Sequence, residues 1–282
     1  MSGIAYSNVS ERRGAYNLLV AGMPSEIDSR RPSPDVLLTV DVEPDCPPYL
    51  DGWRGVTKGL PWLIEALEQE GVRGTFFVTG QTAERYPDAI RGIVTAGHEL
   101  GCHGHTHKRF GAMGPEEAVR ELKDASTVLR AIGPTTAFRA PNLDFPDEYL
   151  PLLVEAGYSL DSSEGAHRLD HLFRRATRTM RPTPGLRRLP ASTTSSVLRL
   201  PAALRDPWLA RLARPVVLFM HPWELVDLRG ENIRWDCRAG TEPRARDAVR
   251  EVIRLFQDRG GRFGTVADWA AGMDREIVPD LH

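Results

Sequence analysis

A single distorted (β/α) barrel of about seven parallel strands is the fold that the sequence predicts, on three observations. Short runs of β-branched and other apolar residues alternate with longer segments of helical spacing from residue 35 onward. Strand, helix and strand in repeated succession require crossover connections, which are typical of parallel sheets. No change of composition divides this region into two domains. Functional side chains are therefore expected at the carboxyl ends of the strands.

The elements follow one another in a regular order. Residues 36–42 are mostly apolar and predict a buried strand, and Pro61 suits the first turn of a helix that ends before Gly71. The most regular helical face, in residues 115–131, carries Ala118, Leu122, Ala125 and Leu129. The predicted strands are 36–42, 74–79, 98–102, 136–139, 158–161, 186–191, 216–221 and 262–265. The predicted helices are 61–70, 83–95, 115–131, 147–155 and 244–258.

Two parts of the chain lack this regularity. Residues 1–34 show no sustained periodicity, and we expect a partly flexible N-terminal extension before a domain that covers residues 35–282. Residues 164–214 are rich in Arg, Pro, Ser and Thr, which predicts a loop-rich insertion over one face of the barrel. No internal repeat is found, so a repeat architecture is not expected.

Composition and charge exclude several classes of function. The 282 residues are 41% hydrophobic and 26% charged, as in soluble globular proteins, and the net charge of −2 argues against a nucleic-acid partner. The longest apolar runs, such as residues 215–220, are far shorter than the roughly 20 residues that span a bilayer, so an integral membrane protein is not expected. The first 30 residues lack the pattern of a signal peptide, and the expected location is the cytoplasm. Three cysteines, an odd number, favour reduced thiols.

Two carboxylates mark the end of the first strand. Asp41 and Glu43 are two positions apart, so both side chains point to the same side of an extended chain. Either carboxylate could bind a metal ion or act as a base. Solvated charge at a strand end is the alternative explanation for such a pair.

Four of the eight histidines fall within residues 98–107, after the third strand. His103 and His107 are four positions apart, and one helical turn would direct both imidazoles to one side. A histidine cluster can also be a simple polar loop. Two histidines and one carboxylate, however, form a catalytic metal set that leaves positions open for water.

Three later strands also end at polar residues. Arg139 ends the fourth predicted strand, where a surface cation is the alternative, but beside Asp41 it would hold that carboxylate ionised and oriented. Asp161 ends the fifth strand, where a helix-capping role is the common structural use. His221 ends an apolar strand, where a packed core histidine is the alternative.

Five segments, in order, resemble the motifs of the polysaccharide deacetylases, also called carbohydrate esterase family four or the NodB homology domain. The resemblance spans residues 37–224, and the similar chain continues to about residue 270. The motif-like segments are Thr39-Val40-Asp41-Val42-Glu43, His103 to His107, Arg139-Ala140-Pro141, Asp161-Ser162-Ser163 and Met220-His221-Pro222-Trp223-Glu224. Each segment is weak evidence alone, and the ordered set is specific for the superfamily rather than for a substrate.

The resemblance implies a NodB-like barrel and a metal-dependent hydrolase. One divalent ion, with Zn²⁺ expected and Co²⁺, Ni²⁺ or Mn²⁺ as alternatives, would be held by Glu43, His103 and His107. Asp41 would be the base that takes a proton from water. His221 would be the acid that protonates the departing amine.

The remaining roles follow from the same resemblance. Arg139 would keep Asp41 anionic, and Asp161 would orient His221. The third motif would contribute Pro141 and Asn142 to substrate binding, with a backbone N–H near Asn142 at the oxyanion. Trp223 would form an apolar wall for a sugar ring, although packing is an equal alternative for this residue.

One departure from the common motif points to a branch of the family. Most members have two adjacent aspartates, whereas Val42 separates Asp41 from Glu43 here, as in relatives that resemble exopolysaccharide and lipid-linked sugar deacylases. The expected activity is therefore removal of an N-acyl group, N-acetyl first, from an amino sugar or sugar conjugate. The expected cytoplasmic location favours a nucleotide-, lipid- or metabolite-linked sugar.

Two other functions stay open at this point. A cyclic-imide or allantoin-type amidohydrolase could use the same scaffold, although such relatives often lose parts of the metal set. A non-catalytic carbohydrate-binding homologue would need neither Asp41 nor His221. The sugar, the acyl group and the oligomeric state are not predicted by the sequence.

Overall fold

The computed structural model describes residues 33–165 and 183–277, and its centre is a sheet of parallel strands. The eight strands within these ranges are β1 (Val36–Val42), β2 (Thr75–Val78), β3 (Glu99–Cys102), β4 (Ala137–Phe138), β5 (Leu160–Asp161), β6 (Arg187–Arg188), β7 (Val216–Met220) and β8 (Phe263–Gly264). Seven of them follow edge to edge in the order β6-β5-β4-β3-β2-β1-β7, and β8 pairs with the start of β1. The predicted parallel (β/α) barrel is confirmed.

The longest strand lies in the middle of this order. β1 has seven residues, all buried, and it pairs in parallel with β2 on one side and β7 on the other. Ser192 links the far end of the sheet to β7, because its N–H donates to the Val217 carbonyl and its hydroxyl accepts from the Val217 N–H. These bonds connect the segment after β6, at one end of the strand order, to β7 at the other end.

Ten α-helices connect the strands in the described ranges. They are α1 (Leu60–Gln69), α2 (Gly80–Arg85), α3 (Pro87–Thr95), α4 (Pro115–Arg130), α5 (Leu150–Glu155), α6 (Ser195–Leu198), α7 (Ala202–Leu209), α8 (Trp235–Arg238), α9 (Arg244–Gln257) and α10 (Val266–Ile277). Buried apolar residues of α1 to α7 and of α9 join residues of the sheet in the main core, whereas α10 packs in a second cluster and α8 buries none of its residues. None of the helices in this part of the chain has the length and apolarity that a membrane crossing requires.

The prediction of one helix over residues 83–95 is wrong, because Pro87 begins a second helix and lacks the N–H that would continue the first. The predicted strand 186–191 is reduced to two residues in β6. Sequence periodicity also missed α10, which follows β8 directly. Residues 1–32 of the predicted extension and residues 166–182 of the predicted insertion lie outside the described residues.

Candidate active site

Five strands end at polar side chains on the same edge of the parallel sheet. Glu43 directly follows β1, His103 follows β3, Arg139 follows β4, Asp161 ends β5 and His221 follows β7. Four of these five side chains are almost fully buried, and His221 is about one-seventh exposed. Because parallel strands share a direction, residues from distant parts of the sequence meet at this edge.

Glu43, His103 and His107 form a compact set of possible metal donors. Nε2 of His107 lies 2.6 Å from Oε2 of Glu43, and Nε2 of His103 lies 3.3 Å from the same oxygen. One donor atom from each residue lies within 4.8 Å of the other two. Two imidazoles and one carboxylate fit a divalent ion and leave coordination positions open for water and substrate.

A backbone carbonyl fixes the orientation of the first histidine. Nδ1 of His103 lies 2.8 Å from the carbonyl oxygen of Arg139. Because a carbonyl oxygen can only accept, Nδ1 carries the hydrogen and Nε2 keeps its lone pair for a metal ion. The segment Arg139-Ala140-Pro141 therefore orients a histidine of the segment from His103 to His107.

The segment between the two histidines is a loop, so the expected single helical turn is wrong. Gly104 and His107 both have left-handed backbone conformations, with φ of 75° and 60°. A histidine pays a steric cost in that region, and such strain is common at functional sites. The loop still brings the two imidazole rings to a centroid distance of 5.4 Å.

Glu121 in α4 holds this loop in place. Its Oε1 accepts hydrogen bonds from the backbone N–H groups of His105 and Thr106, at 2.8 and 2.5 Å. The hydroxyl of Thr106 also donates to Oε1, at 2.9 Å. Three bonds to one buried carboxylate oxygen fix the backbone between the two candidate ligands.

Asp41 is held by a fully buried arginine, as the sequence analysis expects. Nη1 of Arg139 donates to Oδ1 of Asp41 at 2.8 Å and to the hydroxyl of Thr39 at 2.7 Å. Its Nη2 donates to the hydroxyl of Ser162 at 2.8 Å. These contacts set the position of the Asp41 carboxylate within β1.

His221 is held by Glu224 rather than by Asp161. Nδ1 of His221 lies 2.7 Å from Oε1 of Glu224, which is buried and itself forms an ion pair with Arg199 at 2.9 Å. The expectation that Asp161 orients His221 is therefore wrong. Glu224 lies three residues along the chain, and the short helix over residues 222–225 turns its carboxylate back to the imidazole.

Asp161 makes its contacts with the segment around Arg139-Ala140-Pro141 rather than with His221. Its Oδ1 accepts from the hydroxyl of Ser163 at 2.5 Å, and that hydroxyl in turn accepts from the N–H of Ala140 at 2.9 Å. Its Oδ2 accepts from Arg188 at 3.0 Å. Asp161 thus positions the segment that follows Arg139.

Trp223 is a packing and positioning residue in the structure, in line with the packing alternative, and a contact between its ring and a sugar stays a prediction. Only 5% of Trp223 is exposed. Its indole N–H donates to Oε1 of Glu43 at 3.1 Å, and its ring stacks on His221 at 4.7 Å with an interplanar angle of 22°. The side chain therefore joins the candidate metal ligand to the candidate acid.

The charges of the site shift two pKa values. Burial raises the pKa of Glu43, but the positive charges of His107 and His221 outweigh it and hold the pKa well below its usual range. Burial lowers the pKa of His221, but the carboxylates of Glu43 and Glu224 raise it to about 9, with a smaller contribution from Asp41. These carboxylates favour the protonated form of His221, which is the form that a general acid requires.

The third motif places an unusual backbone next to Arg139. Pro141 is buried, and both Asn142 and Leu143 have left-handed conformations with φ of 59° and 53°. Asparagine tolerates this region better than most residues. The oxyanion contact expected of the backbone near Asn142 stays a prediction.

A sequence profile described as polysaccharide deacetylase matches residues 28–160, just under half of the chain. The match contains Asp41, Glu43, His103, His107 and Arg139. This region is similar to the polysaccharide deacetylase family. Asp161 and His221 lie beyond the matched residues, so their assignment depends on the geometry above.

Curated relatives of the deacetylase region align over part of their length. A chitooligosaccharide deacetylase from Sinorhizobium fredii is 32% identical over 100 residues, which cover 34% of this chain and 46% of the relative. A peptidoglycan-N-acetylglucosamine deacetylase from Bacillus cereus is 26% identical over 98 residues, 35% of this chain and 32% of the relative. The chain thus spans less than half the length of these relatives.

Solved structures of deacetylase-related proteins share the fold over most of the chain. The family 4 carbohydrate esterase from Streptomyces lividans has a TM-score of 0.54 at 18% identity, covering 84% of this chain and 95% of that protein. At this level of identity the similarity shows the fold alone. The shared fold extends past the residues that the profile matches.

The sequence analysis assigned no role to four supporting residues of this candidate site: Thr39, Glu121, Arg199 and Glu224. Glu224 had a sequence signal, because its spacing of three from His221 allows a capping contact. Glu121 and Arg199 lie 14 or more positions from the residues they support and follow no recognisable spacing. Only the packing of α4 and α6 against the strand ends brings them to the site.

Trp223→Phe should weaken metal binding by about 10-fold, the lower end of the range for residues that support a ligand. The phenyl ring can keep the stack on His221, but Oε1 of Glu43 loses its hydrogen-bond donor. Titration of the protein against a competing chelator measures the change. Trp208→Phe, at an exposed position in α7, is the matched control and should leave metal affinity unchanged. Equal affinities for both variants would contradict the positioning role of Trp223.

Proposed function

We propose that the chain is a metal-dependent hydrolase that removes an N-acyl group, N-acetyl in the first instance, from an amino sugar or sugar conjugate. The main support for this proposal is the set of three possible metal donors, Glu43, His103 and His107, whose donor atoms lie within 4.8 Å of one another. Next to it lie a carboxylate held by Arg139 and an imidazole held by Glu224, whose pKa is raised by neighbouring carboxylates. The named activities of the curated relatives support this assignment.

The residues divide the proton transfers of amide hydrolysis between them. A divalent ion in the site would supply positive charge and Lewis acidity that lower the pKa of water to about 7. Asp41 accepts a proton from the attacking water. His221 donates its Nε2 proton to the nitrogen as the C–N bond breaks. A free amine and a carboxylate are the products, and a backbone N–H near Asn142 stabilises the developing oxyanion.

Zinc is the ion we propose, because a site of two imidazoles and one carboxylate with open positions is a common catalytic zinc site. Cobalt, nickel and manganese accept the same donors. The cytoplasmic location stays a prediction, as does a nucleotide-, lipid- or metabolite-linked substrate. Metal analysis of the protein as purified distinguishes the ions.

A screen of N-acylated amino sugars and cyclic imides with the metal-loaded protein tests the proposal. Mass spectrometry should detect a free amino sugar and the matching carboxylate. Ring-opened imide without sugar deacylation would favour the cyclic-imide alternative. Saturable sugar binding without any product would favour the non-catalytic homologue, although the buried supports of Asp41 and His221 have no evident use in a binding protein.

His103→Ala should abolish stoichiometric metal binding, because one of three protein donors is lost and its neighbours cannot replace it. About one divalent ion per chain is expected in the unmodified protein by elemental analysis. His105→Ala is the matched control, since His105 lies in the same loop outside the donor set. Full occupancy in a variant lacking both His103 and His107 would exclude this site as the metal centre.

Glu224→Gln should move the alkaline limb of the pH profile of kcat/KM to lower pH. Glu224 raises the pKa of His221, so its loss as a charge lowers that pKa. An acid must be protonated, and activity falls as the pH rises through its pKa. The rate measured over a pH series should therefore begin to fall earlier in the variant. An unchanged alkaline limb would show that Glu224 does not set the protonation of the acid.

A further inference from the structure

The arginine that holds the candidate base is completely buried. Arg139 has no exposed surface, although a guanidinium stays charged in proteins. Its Nε donates to the carbonyl oxygen of Ser162 at 3.3 Å, and its Nη2 donates to the hydroxyl of the same residue at 2.8 Å. Nη1 donates to Thr39 and to Asp41, which is its ion-pair partner. These hydrogen bonds engage the edge of the planar guanidinium and leave its faces to other side chains.

Aromatic rings from both strands beside β1 lie next to this guanidinium. Cζ of Arg139 lies over the ring of Phe77, 4.4 Å from the ring centroid, and 5.5 Å from the centroid of Phe219. Phe77 in β2 is the register partner of Asp41 in β1. Phe219 in β7 is the register partner of Thr39 in the same strand. The two rings therefore come from positions beside the two residues to which Nη1 donates.

The neighbouring strand leaves room for the Phe77 ring. Gly101 in β3 is the register partner of Phe77 on the other side of β2. A Cβ atom at Gly101 would lie 2.6 Å from Cδ1 of Phe77, which is far too close for two carbon atoms. Glycine at this position therefore provides the space that the ring occupies beside Arg139. Phe77 is fully buried, so its ring cannot contact a substrate.

We propose that Phe77 is a positioning residue for the deacylation reaction, an inference that rests on the proposed function. The face of its ring holds the guanidinium of Arg139 by a cation–π interaction, and Arg139 holds Asp41. Such an interaction is stronger in a buried site than at an exposed one, because water does not compete for the charge. Phe219 contributes less, since its ring lies farther from the cation.

The ring restrains a movement that the hydrogen bonds leave open. Hydrogen bonds at the edge of the guanidinium resist sliding within its plane, whereas a ring over the face resists tilting out of that plane. Tilting would turn the Nη1 hydrogen of Arg139 away from Oδ1 of Asp41, and a hydrogen bond weakens as it departs from linearity. The proposed base would then lose its fixed position. Because Phe77 has no contact with substrate, the expected effect is on kcat rather than on KM.

A series of fluorinated phenylalanines at position 77, introduced by nonsense suppression in the full-length protein, tests this role. Each fluorine withdraws electron density from the face of the ring and adds little volume. The kcat of deacylation should fall stepwise through the mono-, di- and trifluorinated rings, by about 10-fold at the end of the series. KM should stay within about 2-fold of its original value. Elemental analysis should show an unchanged metal content.

The same series at Phe76 is the matched control. Phe76 is also fully buried in β2, but its side chain points to the other face of the sheet, where it packs against His98 at a centroid distance of 4.9 Å. Burial lowers the pKa of His98 to about 4, so Phe76 faces a neutral ring at the pH of the assay. Fluorination at Phe76 should leave kcat unchanged. An equal fall of kcat in both series would reduce Phe77 to a packing residue and overturn the proposal.

Two outcomes separate this inference from the proposed function. A protein that deacylates amino sugars with the same kcat throughout the Phe77 series would overturn the positioning role and leave the proposed function intact. A protein that hydrolyses no amide with its natural Phe77 would contradict the proposed function, and with it the catalytic part of this inference. Thermal unfolding measures the cation–π contact in either case. Tm should fall stepwise in the Phe77 series and stay level in the Phe76 series, and a level Tm in both would overturn the contact.

Discussion

Asp41→Asn is expected to lower kcat/KM by about 10² to 10⁴-fold while the protein keeps its full metal content. An amide cannot accept the proton of the attacking water, so the proposed general base is removed. The amide oxygen can still accept the hydrogen bond from Arg139, which preserves the shape of the site. Initial rates of deacylation and elemental analysis of the same preparation measure the two effects together.

Two comparison variants separate catalysis from structure. Thr39→Val removes the other acceptor of Nη1 of Arg139 but leaves the Asp41 carboxylate, so it should lose much less activity. Glu43→Gln should weaken metal binding first, because it changes the shared donor of the three-residue set. If Asp41→Asn loses the metal while Glu43→Gln retains it, the roles of base and ligand are exchanged.

The fold was largely predictable because apolar periodicity reports burial. The mostly apolar strand β1 and the amphipathic face of α4 both appear in the structure close to their predicted bounds. The predicted strand over residues 186–191 is shortened to the two arginines of β6. These arginines are held by ion pairs with residues distant in the sequence, among them Asp161. Such contacts between segments leave no period in the sequence.

The candidate site was predictable for the polar residues that lie at the ends of strands. Asp41, Glu43, His103 and His221 were chosen from residue type and position, and the structure brings all four to one edge of the sheet. The role of Asp161 was predicted incorrectly, and the sequence did not decide between packing and sugar binding for Trp223. Their functions depend on which hydrogen-bond partner packing brings within 3 Å, and residue identity alone does not specify that partner.

The last expected result separates leaving-group protonation from binding. His221→Ala should remove most turnover of amide substrates, about 100-fold or more, and leave the metal content intact. An amine leaves poorly unless it is protonated, and His221 is the protonated group held at the site by Glu224. Activated esters have leaving groups that need no proton, so their hydrolysis should fall far less in the same variant.

The ratio of ester to amide rates is the informative quantity, because metal loss or a distorted site would lower both rates together. Phe219→Leu is a useful control. Phe219 packs edge-on against the His221 ring, so the substitution changes this packing but retains the imidazole of His221 as the proton donor. That variant should lower both rates modestly and keep their ratio. If His221→Ala also keeps the ratio, His221 acts in packing or binding. The reaction would then require another acid, and the partnership of His221 with Glu224 would need a structural explanation.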